Sequence, residues 1–330
     1  MNDYLKWVKK MNLNEEKELS IIVPHYNSPK LLERLLYSIP KDVEVLVVDD
    51  KSTEGLPDYE IVKNKFNHIK FYDNKSDKKG AGVCRNIGIK NATGKWILFA
   101  DADDYFTEGF YDVVGQYFDA KDDLIYFVPS SIDEITGDTS HRHVHYENII
   151  QNYLNKPSQQ SELALRYEFP SPLSKLIKRS LIIDNKILFD ETCVSEDYIF
   201  STKVGYFAKR FLVSDKTIYI FTESHGSLSK QMSCVKYMVH VQAFVNVYQF
   251  LNFHLSKKEM KMLDLAGIGF LFYGLKHRIK ATTLFKAFNL IRKNTIPLFK
   301  RKYKNPFIMW RLLILHLSIY HKEKKYYVKE

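Results

Sequence analysis

The stretch WILFADADDYF, residues 96–106, decides the fold class. Trp96 to Ala100 is an unbroken apolar run, and it empties directly into three carboxylates, Asp101, Asp103 and Asp104. Two earlier stretches share this build. Leu19-Ser-Ile-Ile-Val23 runs into Pro24-His-Tyr-Asn27, and Val43-Glu-Val-Leu-Val-Val48 runs into Asp49-Asp50. Continuous apolar runs mark strands covered on both faces, as in parallel sheets flanked by helices. Helical patterns lie between them. Leu31, Leu32, Leu35, Leu36 and Ile39 recur at threes and fours, and Gly80-Ala-Gly82 opens a second helix through Ile89. Ile69 to Tyr72 and Leu124 to Val128 add two strands. This alternation predicts a doubly wound α/β domain with a mainly parallel sheet and helices on both faces. Ligands of such sheets bind beyond the carboxyl ends of the strands, so the three polar clusters should share one rim.

Further along, Phe106 to Phe118 and Ser171 to Ile182 read as helices, and Phe211–Val213 and Thr217–Phe221 as two strands. Thr136 to His145 reads as a loop or hairpin with His141, His143 and His145 in solvent. From residue 233 the pattern is helical, so the expected parts are 1–232 and 233–330. The net charge of +10 is uneven: residues 276–330 hold 15 Lys and Arg against Glu323 and Glu330, a balance of +13. Such asymmetry calls for an anionic partner. Three cysteines in 330 residues exclude a disulfide scaffold. The N-terminal segment has no apolar core, so no signal peptide is expected. Tyr237 to Ser256 is uncharged but amphipathic, and no segment has the roughly 20 apolar residues of a membrane span.

Each cluster has a plain structural reading beside a chemical one. One Asp at 101–104 is explained by helix capping, but three are better explained by a divalent cation that relieves their repulsion. Asp49-Asp50 is either a turn or an acceptor of hydrogen bonds from a bound base or sugar. Gly80-Ala-Gly82 followed by Arg85 starts a helix, and its glycines also let the backbone approach a ligand. It is neither a dinucleotide fingerprint nor a P-loop, since Arg85 stands where the third glycine belongs. Glu196-Asp197 ahead of Tyr198, Ile199 and Phe200 is an N-terminal cap or a general base.

Taken together and in order, SIIVPHYN, VLVVDDKST, GAGVCRNIG, WILFADADDYF and SEDYIF resemble the family 2 glycosyltransferases, across about residues 18 to 205. The resemblance implies a GT-A fold and inversion at the anomeric carbon. It implies that Pro24, Tyr26 and Asn27 line a nucleotide pocket, with Asp50 and Asp49 near uracil and Asn74, Lys79 and Arg85 near base or diphosphate. Asp101 would meet ribose or donor sugar, with Ala102 beside the nucleotide. Asp103 would bind Mn²⁺ or Mg²⁺, Asp197 would be the base, and Glu196 would help hold the acceptor. His225, in His225-Gly-Ser-Leu-Ser-Lys230, matches a late diphosphate loop more loosely. No Q-x-x-R-W motif is present, which argues against a processive synthase.

The expected activity is metal-dependent transfer from a UDP-sugar to a hydroxyl of a glycan or lipid-linked acceptor, in assembly of a bacterial capsule, lipopolysaccharide or exopolysaccharide. The rival readings are a sugar nucleotidyltransferase and a non-catalytic module whose basic tail binds nucleic acid. The first wants a glycine-rich loop after the first strand, where Pro24-His-Tyr stands. Against the second, the tail sets Phe307 to Ile319 beside its basic clusters, which suits an anionic membrane surface better than nucleic acid. The expected location is therefore cytoplasmic, peripheral on the inner face of the membrane.

Overall fold

The computed structural model describes residues 17–223 and 232–301. The chain divides into two compact units, Met1–Ser227 and Leu228–Glu330. In the first, β1 (Leu19–His25), α1 (Pro29–Tyr37), β2 (Glu44–Asp49), α2 (Leu56–Lys65), β3 (Lys70–Asp73), α3 (Ala81–Asn91) and β4 (Trp96–Phe99) alternate as the apolar runs require. β2 and β4 are buried at every position, so both of their faces are covered. Next come β5 (Tyr105–Phe106), α4 (Phe110–Gly115), β6 (Leu124–Asp133), α5 (Val144–Asn155), α6 (Gln159–Tyr167), β7 (Lys175–Lys178), α7 (Arg179–Asp184), α8 (Asp197–Phe207) and β8 (Phe211–Glu223).

One eight-stranded sheet runs in the order β3-β2-β1-β4-β7-β6-β8-β5. The first four strands are parallel, β7 is antiparallel to both β4 and β6, β6 and β8 are parallel, and β5 closes antiparallel on β8. The sheet is therefore mixed, with a parallel half that carries β1 to β4. Three sequence expectations change here. Ser171 to Ile182 is not one helix, because Lys175–Lys178 is drawn into the slot between β4 and β6, with Ile177 opposite both Ile97 and Leu124. Phe106 to Phe118 is helical only over α4, since Tyr105 and Phe106 pair with β8. The two short strands after residue 210 are one, β8.

The register puts the polar clusters on one rim. His25 pairs with Asp49 and Asp49 with Asp73. Beyond these pairs, Asp50 N donates to His25 O (2.8 Å), Asn74 N to Asp49 O (2.8 Å) and Ala100 N to Ile22 O (3.1 Å). At the opposite end of the same strands, buried Glu44 is a staple. It accepts from Ser20 Oγ, from Lys70 Nζ at 2.6 Å, and from Thr93 N and Oγ1, both at 2.8 Å. Burial pushes against its charge, yet these donors hold its carboxyl below the usual range.

In the second unit, α9 (Cys234–His254) is followed by α10 (Lys257–Leu263), α11 (Ile268–Lys276) and α12 (Ala281–Lys293). Tyr237, Val241, Phe244, Val245 and Tyr248 of α9 share a core with Ala287 and Ile291 of α12. Ser256 and Glu259 close a capping box at the start of α10. Among the described residues no helix is long and apolar enough to cross a membrane.

Candidate active site

The side of the rim formed by β1 to β3 is built from loops that clamp one another. Asn27, held at φ 51°, accepts from Thr53 N (2.8 Å) and Glu54 N (3.1 Å). Asp49 Oδ1 lies 2.8 Å from His25 Nδ1, and the carboxylate also accepts from Ser52 N (2.9 Å) and Ser52 Oγ (2.6 Å). Burial opposes its charge, but His25 and Ser52 keep the carboxyl below its ordinary range. Asp50 accepts from Asn74 Nδ2 (2.7 Å) and Gly80 N (2.8 Å). The carboxylates of Asp49 and Asp50 and the Asn74 amide thus hold loops in place. Half-buried Pro24 ends the apolar part of β1, and exposed Tyr26 carries Lys79 Nζ over its ring at 5.1 Å.

Two glycines bring α3 close to the loop ahead of α8. Gly80 sits at φ 130°, and a Cβ there would lie 2.9 Å from Thr192 O. A Cβ on Gly82 would come within 2.3 Å of Asp190 O and 3.0 Å of the Glu196 Cβ. That approach lets buried Arg85 reach both acid clusters: Nη2 donates to Asp101 Oδ1 at 2.7 Å and Nη1 to Glu196 Oε1 at 3.0 Å. Burial works against the guanidinium charge, and Asp101 and Glu196 outweigh it.

Carboxylate oxygens of Asp101, Asp103 and Asp104 lie within 4.8 Å of one another. Asp104, fully buried, accepts from Tyr219 Oη (3.0 Å) and Thr222 N (2.7 Å), and the same Tyr219 hydroxyl accepts from Asp101 N (2.8 Å). Arg34 Nη2 donates to Asp103 O (2.5 Å) and Thr222 Oγ1 (3.1 Å). Arg142 Nη1 donates to Thr222 O (2.8 Å) and stands 3.8 Å from Asp104 Oδ1. Burial and then the neighbouring Asp101 push the carboxyl of Asp103 upward, and Asp104 is raised further by burial and both acids. Three oxygen donors whose mutual repulsion is this incompletely relieved fit a hard divalent cation. Buried Ala102 turns into the core between them.

Asp197 is the first residue of α8, directly after Glu196, and it is half-buried. Burial, then the charge of Glu196, pushes its carboxyl up to about 7, against the pull of Arg85. A carboxylate poised there suits proton abstraction near neutral pH. The expected residues thus fall into two groups: Pro24, Tyr26, Asn27, Asp49, Asp50, Asn74 and Lys79 beyond β1 to β3, and Arg85, Asp101, Ala102, Asp103, Glu196 and Asp197 beyond β4 and at α8. His225 lies outside the described residues.

Three residues of the arrangement carry no signal in the sequence: Tyr219, Arg34 and Arg142. Tyr219 and Arg142 come from strand and loop positions with no motif around them. The histidines near Arg142 are not all solvated either. His143 is buried, with Nδ1 2.6 Å from Ser131 Oγ, because its loop folds back onto β6.

A model of the family "Glycosyl transferase family 2" matches residues 20–184, half of the chain. The poly(ribitol-phosphate) beta-N-acetylglucosaminyltransferase TarS of Staphylococcus aureus is 31% identical over 222 residues, covering 63% of this chain and 36% of that protein. A poly(ribitol-phosphate) beta-glucosyltransferase of Bacillus spizizenii is 29% identical, over 63% of this chain and 33% of its own length. The chain thus spans about a third of the length of these curated relatives. The crystal structure of TarS residues 1–349 in complex with UDP-GlcNAc superposes with a TM-score of 0.62 at 25% identity, over 84% of this chain and 80% of that one. The fold is also shared by a mannosyltransferase from Pyrobaculum calidifontis, solved with GDP-Man and Mn²⁺ (TM-score 0.52, 16% identity, 99% and 95% coverage). The mixed sheet is of the GT-A type, the acid triad sits at its carboxyl rim, and the chain belongs to glycosyl transferase family 2.

Proposed function

We propose that the chain is an inverting glycosyltransferase that moves a sugar from a UDP-sugar to an acceptor hydroxyl in assembly of a bacterial surface polymer. The observation that carries this reading is the Arg85 bridge, which ties the acid triad to the Glu196–Asp197 pair on one rim. The donor lies across that rim. Tyr26 stacks on the base, and Asp50, Asn74 and Lys79 line its loop. Asp197 takes the proton from the acceptor hydroxyl as its oxygen attacks the anomeric carbon from the face opposite the diphosphate. The bond from that carbon to the diphosphate oxygen breaks, UDP leaves, and an α-linked donor gives a β-glycoside. Glu196 holds the acceptor, and Arg85 offsets negative charge beside the diphosphate. Asp103, with Asp101 and Asp104 beside it, would hold Mn²⁺ or Mg²⁺, which supplies charge neutralisation at the diphosphate when bound. The UDP-GlcNAc complex of the TarS fragment and the polymer substrates in the relatives' names support this choice of donor and acceptor class.

A panel of UDP-sugars, with UDP release measured with and without Mn²⁺, tests the reading. Turnover of one donor should depend on metal and vanish in Asp103→Ala with the fold intact. Undiminished metal-dependent turnover in that variant removes Asp103 from the role, and no turnover with any donor removes the activity.

We also infer peripheral attachment to an anionic membrane through the helical unit. Its described part exposes Phe272, Leu275 and Phe285, with Lys276 and Lys286 next in sequence to the last two. The Phe307 to Ile319 stretch lies outside the described residues. A variant ending at residue 296 removes that stretch and its basic clusters and should bind anionic liposomes more weakly than the whole chain, and Phe285→Ser with Lys286→Glu in that variant should abolish what binding is left. Full-length protein that ignores such liposomes at low salt but binds RNA would favour the nucleic-acid rival.

A further inference from the structure

Lys175 of β7 is fully buried, and its ammonium fixes an aromatic ring. Nζ donates to Phe169 O at 2.5 Å and stands 4.3 Å from the centre of the Phe169 ring. Tyr146 stacks on that same ring at 4.4 Å, with the two planes 20° apart. Two groups so close to one ring centre must take opposite faces. Phe169 is therefore held between ammonium and phenol, and a desolvated cation grips a ring face firmly. Tyr146 is tied at its other end too. It lies in the first turn of α5, where its N donates to His143 O (2.9 Å), and buried His143 has Nδ1 2.6 Å from Ser131 Oγ of β6. Phe221 of β8 adds a tilted ring contact at 5.9 Å.

What this mounting leaves over is the Tyr146 hydroxyl. It makes no hydrogen bond among the described residues and is not one of their buried unpaired polar atoms, so it opens to solvent. It feels the charges of both Asp197 and Arg142, and Arg142 stands 3.8 Å from Asp104, so the hydroxyl belongs to the space between the base and the acid triad. Burial, then Asp197, pushes the phenol up to about 12, so it keeps its proton wherever Asp197 acts as a base. The nucleotide rim is carried by β1 to β3, whereas Tyr146 follows β6, which lies beyond β4 and β7 in the sheet order. The substrate within its reach is the acceptor. A hydrogen-bond donor fixed in advance lowers the entropy cost of holding one.

We propose that Tyr146 is an acceptor-binding residue whose hydroxyl donates to an oxygen beside the hydroxyl that Asp197 deprotonates, so that the acceptor site reads a vicinal diol. This inference rests on the glycosyltransferase reading above. The test uses the full chain, Tyr146→Phe, the UDP-sugar with the fastest UDP release, and a panel of methyl glycosides and linear polyols with their monodeoxy analogues. A vicinal diol should speed UDP release in the parent. Tyr146→Phe keeps the stacked ring and removes one neutral hydrogen bond, so the KM for that diol should rise about three- to tenfold. One monodeoxy analogue should suffer a similar loss with the parent and be indifferent to the substitution, as a double-mutant cycle requires of two groups in contact. UDP affinity, the slow release of UDP to water without acceptor, and Tm should all stay near the parent values. An unchanged KM overturns the proposal, as does a panel in which no diol speeds release. Equal slowing of UDP release to water overturns it too, since the hydroxyl would then serve the base or the donor. A substitution penalty that persists with every deoxy analogue has the same force. Failure of the glycosyltransferase reading looks different: the parent releases UDP from no donor at all.

Discussion

Asp197 concentrates two opposing demands in one carboxyl. As a base it must be ionised, so transfer should rise with pH and reach half its maximum near 7, the value to which burial and Glu196 push it. For folding the sign is reversed. A carboxyl raised from 3.8 holds a proton in the folded chain that the unfolded chain has released, so its stability contribution is full below about 4 and is lost as pH rises through about 7. Asp197→Asn should therefore lower kcat about 10²- to 10⁴-fold, leave UDP binding near the parent value, and remove that part of the pH dependence of Tm. Near-parent transfer by the variant would move the role to Glu196. At this scale the sequence was legible where an acid follows an apolar run, as at Asp103, and illegible where a residue acts from afar. Arg142 lies 38 positions beyond Asp104 and reaches it only because the chain after β6 turns back on Ser131.

Elements were legible in proportion to how much of their structure is local. β1, β2 and β4 announce themselves as apolar runs because both of their faces are covered. β7 does not: Leu173, Leu176, Ile177 and Leu181 recur at helical spacing, and only the slot between β4 and β6 makes a strand of Lys175–Lys178. The parallel half depends equally on its far rim, where Glu44 joins β1, β2, β3 and the turn before β4. Glu44→Gln replaces a charged acceptor of four hydrogen bonds by a neutral amide. We expect a loss of about 2–3 kcal/mol and a fall in Tm of several degrees at neutral pH. Because the folded-state value of Glu44 is depressed, its contribution is present above the unfolded value and lost as pH falls through the folded one. The difference between parent and variant, followed by thermal melting, should therefore shrink in acid. A constant difference from neutral to acidic pH would mean that shape, not charge, makes the staple.

Across the whole molecule, the pairing of Tyr105 and Phe106 with Tyr219 and Ile220 joins segments more than a hundred residues apart, and Asp104 receives Tyr219 Oη and Thr222 N only through it. Closing so long a loop costs more chain entropy than winding the successive strand–helix units of the parallel half, so we expect the triad to be completed late, on the native side of the folding transition state. A cation that needs all three carboxylates has nothing complete to hold in the transition state and everything to hold in the native one. Mn²⁺ should then slow unfolding in a stopped-flow chevron while leaving the refolding limb where it was. Refolding that quickens with Mn²⁺ would instead place β8 against the acid loop early, and the cation would be a template for the fold rather than a clasp put on at the end.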